Sequence, residues 1–422
     1  MSETIRIDDL ASPVLTEMQR EALEYGATLQ VELDSDSILA EAADAVGLSD
    51  FGPQDFRERL DLLCHEWASD HGLTNIGRLS LRNKLLSHAR SRLLVQDLLK
   101  RHPEIHRVAI KAPIVVAGLP RSGTTHLLNL MAADSRLRAL PLWESYEPVP
   151  MPGEAATGDA RDPRYQRCAQ AWETMQQMTP LLAAMHPMNP EHIHEELELM
   201  GPDFASYNYE WLCHSPRWRD HYYASDQTPH YEYMKTVLKI LTWQDGDATG
   251  ANTRWVLKCP QHLEQLPVLH RVFPDATIAI THRDPVSVIQ SAITMLAYGQ
   301  RINRRQVDLA ALLSYWTDRV AHLLEACCRD RPRLPAAQSI DVPFHEFMAD
   351  DVAMVEKIHQ RAGLPLNGRA RAELQAFLAA HQRGKHGRIA YDLRADFGVE
   401  PAALRDRFEF YFRRFPVQVE VQ

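Results

Sequence analysis

The stretch from Ala112 to Ala133 constrains this chain more than any other. Ala112-Pro-Ile-Val-Val-Ala117 is short, apolar and β-branched, the composition of a strand buried on both faces of a parallel sheet. Gly118-Leu-Pro-Arg-Ser-Gly-Thr-Thr125 follows it, and His126-Leu-Leu-Asn-Leu-Met-Ala-Ala133 then places Leu127, Leu128 and Met131 at helical spacing. A strand, a glycine-containing loop and a helix in this order aim backbone N–H groups and a helix N-terminus at one point, which suits a phosphate. Gly118, Gly123 and Thr125 have the spacing of a Walker A loop, but Thr124 stands where that loop carries lysine. The loop cation is instead Arg121, which weakens a reading as a nucleoside triphosphatase.

Two further segments turn the loop into a site. Trp255-Val-Leu-Lys-Cys-Pro260 reads as a strand ending in Lys258, and Ala276-Thr-Ile-Ala-Ile-Thr-His-Arg-Asp-Pro285 as a strand running into Arg283. Pro285 opens a helix that carries Ser287 and Ser291. Ligands of an open parallel sheet sit beyond the carboxyl ends of its strands, so Arg121, Lys258 and Arg283 are expected to converge on one polyanion.

Pro120-Arg-Ser-Gly-Thr-Thr125 resembles the 5′-phosphosulfate loop of sulfotransferases that use 3′-phosphoadenosine 5′-phosphosulfate (PAPS). Arg283 with Ser291, eight residues on, resembles their 3′-phosphate motif. From about His106 to Phe415 the chain is similar to the large bacterial branch with arginine in the loop. Trp255-Val-Leu-Lys258, Thr281-His-Arg-Asp-Pro285, Phe397-Gly-Val-Glu-Pro401 and Phe408-Glu-Phe-Tyr411 carry that likeness. The resemblance implies direct sulfuryl transfer from PAPS, with Pro120, Arg121, Ser122, Gly123, Thr124 and Thr125 around the 5′-phosphosulfate and Arg283 and Ser291 on the 3′-phosphate. It also implies that the basic loop Arg383-Gly-Lys-His-Gly-Arg388 covers the 3′-phosphate through Arg383, Lys385 and Arg388. Lys258 is expected to stabilise charge on the bridging oxygen. Sulfate in the donor carries one negative charge, so no metal clamp is expected. Glu144, in Leu142-Trp-Glu-Ser145, is the leading general base. His194, Glu195 and Glu196 are its rivals, on a segment where Glu191 and Glu195, or His192 and Glu196, would share a helical face. A metal held by His192 and His194 is disfavoured, because side chains two apart diverge on a helix.

The fold expected is α/β: a P-loop-like parallel sheet with helices on both faces. Residues 1–105 form an N-terminal helical extension, with Phe56, Leu60, Leu63 and Trp67 on one stripe. Residues 106–422 form the sulfotransferase domain, with a helical cap inserted at about 151–250. Tyr207, Tyr209, Trp211, Trp218, Tyr222 and Tyr223 make that cap aromatic, which points to a largely apolar small-molecule acceptor offering a hydroxyl or amine.

At 422 residues and 45% hydrophobic content the chain can bury a large core. A net charge of −10 argues against nucleic-acid binding and leaves local cations to hold an anionic ligand. The six cysteines lack metal-type spacing and read as free thiols, with Cys259 a packing residue. The N-terminus shows no signal peptide and no apolar run reaches a membrane span, so a cytoplasmic protein without membrane insertion is expected. Oligomeric state stays open, a homodimer included. The alternatives are a P-loop kinase-like phosphotransferase, opposed by Thr124, and a non-catalytic nucleotide-binding protein.

Overall fold

The computed structural model describes residues 4–381 and 387–422. Among them are six short strands: β1 (Thr4–Arg6), β2 (Ile114–Ala117), β3 (Val256–Lys258), β4 (Thr277–His282), β5 (Ser339–Pro343) and β6 (Arg388–Ala390). Four form the central sheet in the order β3-β2-β4-β5, every neighbouring pair parallel. Every residue of β2, β3 and β4 is buried, as their unbroken apolar runs require. β5 is an edge strand that ends at Pro343, where a missing N–H breaks no ladder.

Alternate side chains of these strands feed two cores. Val115, Ala117, Leu257, Ile278 and Ile280 join a large cluster that also holds Leu60, Leu63, Trp67, Tyr209 and Trp218. The N-terminal helices and the cap therefore share one apolar core with that face of the sheet. Ile114, Val116, Val256, Ala279 and Val342 point the other way, onto Leu127, Leu128 and Met131 of the helix Thr124–Ala132. Helices thus cover both faces, as the alternation of strands and helices predicts.

The extension is helical as expected: Glu17–Ala27, Ser35–Val46, Phe56–Ala68 and the long Asn75–Arg101, whose first turn is capped by the Thr74 hydroxyl at the Gly77 amide. One element escaped the sequence: β1 pairs in parallel with β6, Ile5 opposite Ile389. Three residues carry too little periodicity to announce a strand.

The cap is tied to the sheet through Arg319, on the buried face of the helix Leu309–Asp330. Its guanidinium donates to Glu210 of the cap at 2.8 Å and to both oxygens of Glu264, just past β3, at 2.7 and 2.6 Å. All three side chains are buried. Among the described residues no helix is long and apolar enough to cross a membrane. Arg319→Ala would leave two buried carboxylates uncompensated. We expect it to cost about 3–5 kcal/mol in urea denaturation, and a loss below about 1 kcal/mol would show that the pair does not tie the cap down.

Candidate active site at the carboxyl edge of the sheet

In-register parallel pairing brings the strand ends to one edge: Val116 lies beside Lys258 and Ala117 beside Ile280. The chain turns sharply after β2 because Gly118 sits against Thr281 and Thr124; a side chain there would collide with the Thr281 hydroxyl. Gly123 caps the loop helix at φ +81°, with the Phe344 ring 2.9 Å from where a Cβ would stand. Glycine is required at both positions for separate reasons, close approach and handedness.

Arg121 also has positive φ, +64°, but carries a side chain. Such a conformation costs of order 1–3 kcal/mol and persists where the surroundings hold it. Here the Arg283 guanidinium donates to the Arg121 carbonyl at 2.6 Å, while the Arg121 guanidinium donates to Ser291 Oγ at 3.0 Å and to the Met185 carbonyl at 2.7 Å. Arg121, Arg283 and Ser291, 170 positions apart at most, are thereby brought together.

Ser122 has a different part. Its hydroxyl bonds the Leu119 carbonyl at 2.6 Å and Thr281 at 2.8 Å, and its amide also reaches Leu119, so it braces the loop from below. The amides of Gly123, Thr124 and Thr125 have no acceptor among the described residues, which leaves three converging donors at the helix N-terminus.

Lys258 is almost wholly buried, 1% exposed. Its ammonium bonds Glu195 and lies 3.3 Å from Thr125 Oγ1. Burial pulls it down to about 7, and the nearby Arg121 guanidinium pushes the same way. The lysine itself stands behind the cavity wall, whereas Glu195, Thr124, Thr125, Pro120 and Arg121 line a cavity of about 770 Å³. Its far wall comes from Asn83 and Lys84 of the helix Asn75–Arg101, Met175 and Met178 of the cap, and Met295 and Leu296 of the helix Pro285–Gly299.

The acidic segment of the cap is not helical, contrary to expectation. Ile193 pairs antiparallel with Pro141, His194 N–H donates to Leu140 and Leu142 N–H to His192, so the backbone runs extended there. Asn129 of the loop helix clamps Ile193 from the other side. Glu195 and Glu196 therefore serve different sides of Lys258. Glu195 takes its ammonium; Glu196, fully buried, accepts the Lys258 amide at 2.7 Å and bonds His262 Nε2 at 2.6 Å, which bonds Tyr231. Glu196 is a tether without access to an acceptor.

Glu144 is not brought to the cavity. Its carboxylate bonds Arg138 at 2.6 Å, and Arg138 also grips Asp245 at 2.9 Å. Burial raises the Glu144 carboxyl and Arg138 opposes that rise. His194 does line the cavity, but burial holds it down at about 3, and His186 and His192 beside it are lowered too. Neutral imidazoles this far from their ordinary range are poor proton acceptors at neutral pH. Among the described residues no group of three or more His, Cys, Asp or Glu side chains is arranged to hold a metal.

Arg388 is exposed at the start of β6, and Arg383 and Lys385 lie outside the described residues. All six cysteines are free; Cys259 is fully buried and its thiol pushed well up, which suits packing and no nucleophilic part. Two groups near the site were given no part from sequence. Ser287, noted on the helix opened by Pro285, stands one turn beyond Arg283, and Glu420, far along the chain, pairs with Arg283 at 2.6 Å. Nothing local marked Glu420.

No curated protein matches the chain. Among solved structures, the sulfotransferase STF1 of Mycobacterium tuberculosis is 30% identical, with a TM-score of 0.77 over 89% of this chain and 98% of that one. The sulfotransferase STF9 of Mycobacterium avium is similar in fold, with a TM-score of 0.81 at 24% identity, covering 92% and 98%. Residues 113–368, from the first strand of the sheet to the helices behind it, match the family described as sulfotransferase, and the chain belongs to that family.

Proposed function

We propose that the protein transfers the sulfuryl group of PAPS to a hydroxyl of an uncharged, largely apolar small molecule by direct in-line displacement. The observation that carries this reading is the convergence of Arg283, Ser291 and the Lys258–Glu195 pair around the Arg121 loop, beside a cavity that Arg121, Thr124, Thr125 and Glu195 line. The free amides of Gly123, Thr124 and Thr125 with the Arg121 guanidinium suit the 5′-phosphosulfate, and Arg283, with Ser287 and Ser291 on its helix, suits the 3′-phosphate. A threonine at position 124 supports sulfuryl over phosphoryl transfer.

Glu195 replaces Glu144 as the proposed base. It faces the cavity, while Glu144 is committed to Arg138. The acceptor hydroxyl gives its proton to Glu195 as its oxygen attacks sulfur. The bond from sulfur to the bridging oxygen breaks, and adenosine 3′,5′-bisphosphate leaves with the electron pair. Lys258 spends two of its three N–H donors on Glu195 and Thr125; the third is left for the bridging oxygen as charge develops there.

Among the described residues, the other cations lining the cavity are paired: Lys84 with Glu198 at 2.7 Å and Arg167 with Glu147 and Glu154 at 2.6 and 2.5 Å, so neither is left for an anionic acceptor. Met175, Met178, Met188 and Met295 give an adaptable apolar lining. A hydroxylated lipid, sterol, polyketide or phenol fits that chemistry better than a charged sugar.

Labelled PAPS offered with a panel of such acceptors tests the reading; robust magnesium-dependent ATP hydrolysis by the wild type would overturn it. Glu195→Gln should lower turnover about 10²- to 10⁴-fold, the scale of a positioned base, whereas Glu144→Gln should keep turnover within a few-fold and lose stability instead. The reverse pattern would return the base to Glu144. Arg283→Ala should weaken adenosine 3′,5′-bisphosphate by about 1.5–3 kcal/mol in calorimetry and adenosine 5′-phosphosulfate by clearly less, the remainder reflecting the lost bond to the Arg121 carbonyl.

The Lys258 ammonium, lowered toward 7, is charged below that pH and neutral above it. Donor kcat/KM should therefore fall as pH rises through about 7. Lys258→Arg should remove that alkaline limb, and a limb that persists in Lys258→Arg would belong to another group.

A further inference from the structure

We infer that Glu420 is a built-in competitor for the nucleotide's 3′-phosphate, carried on a C-terminal strap that the donor must displace. The inference rests on the placing of the 3′-phosphate at Arg283.

The guanidinium of Arg283 is divided between two tasks. Nη1 is spent on the Arg121 carbonyl and so on the loop. The remaining edge, Nε and Nη2, meets both carboxylate oxygens of Glu420 at 2.8, 3.1 and 2.6 Å, the fork geometry an arginine also offers to phosphate. The Ser287 hydroxyl approaches the same carboxylate at 3.4 Å. A carboxylate here takes the two kinds of donor, arginine fork and helix hydroxyl, that a 3′-phosphate would need.

The strap is placed deliberately. Phe415 stacks on His282 at the end of β4, ring centroids 3.9 Å apart, which anchors its start. Five residues later the Glu420 amide donates to Asp284 Oδ2 at 2.8 Å, and the Val421 amide lies 3.4 Å from the same oxygen. The other oxygen of Asp284 caps the helix Pro285–Gly299 at the Val286 amide. Arg405 holds the Val421 carbonyl. A tether this short gives the carboxylate an effective concentration in the millimolar range, so it competes although its ion pair is partly open to water. The Arg283 fork cannot serve both anions at once. A nucleotide lacking the 3′-phosphate has no quarrel with the strap.

Calorimetry with adenosine 3′,5′-bisphosphate and with adenosine 5′-monophosphate tests this on the full chain. Glu420→Ala should tighten the bisphosphate about three- to tenfold and shift the monophosphate by less than about twofold. Glu420→Gln, which keeps the shape and removes the charge, should move the same way. In wild-type protein the bisphosphate should accelerate hydrogen exchange at the Glu420 and Val421 amides, and the monophosphate should not. Tight bisphosphate binding that is unchanged or weakened in Glu420→Ala overturns the strap and leaves the donor reading intact. Absence of bisphosphate binding in both wild type and variant overturns the donor reading, and the strap with it.

Discussion

The site depends on one buried carboxyl group. Glu196 has no exposed surface, and its two oxygens hold the Lys258 amide and His262. A carboxylate in that position is tolerable only when its oxygens are satisfied, and both are. Its bonds splice the cap onto the end of β3, and that splice decides where the preceding residue points. Glu195 faces the cavity and the Lys258 ammonium because its neighbour is anchored in the core. Thr125, in the first turn of the loop helix, then meets the same ammonium. The loop, the second strand end and the cap are positioned by a few polar bonds in an apolar interior, where such bonds hold geometry firmly.

What the sequence disclosed and what it hid follow from separation along the chain. The Arg121 loop is legible because strand, glycines and helix lie within about twenty residues and each has its own local signature. The three strand ends are legible for the same reason, and a parallel sheet then brings them together by topology alone. The base is a different problem. Glu144 and Glu195 are both acids near the right segments; only the pairing of Pro141 with Ile193 sends one away to Arg138 and the other to Lys258. Extended backbone in that acidic run was hidden because Glu-His-Ile-His-Glu-Glu also suits a helix. Glu420 lies 137 positions from Arg283, beyond the reach of any pattern.

The overall negative charge finds its counterpart in how the cations are kept. Arg121 is bound to neutral acceptors, Ser291 and the Met185 carbonyl. Lys258 and Arg283 are each covered by a carboxylate of the chain itself. Cations thus gather at the carboxyl edge of the sheet while carboxylates of the same chain offset two of them.

The pairing of β1 with β6 has a consequence for the birth of the molecule. Thr4 is made well before its partner Arg388. Between them lie the whole sheet and the cap, whose local contacts can form as the chain emerges. The ribbon must wait. Ile7 and Leu10 pack with Met185, Tyr298 and Val307, a cluster that Ile389 of β6 and Phe397 join only once the ribbon can form. That cluster, whose Met185 carbonyl accepts from Arg121, is therefore completed after the loop itself, so a nascent chain holds the Arg121 loop before this packing is whole.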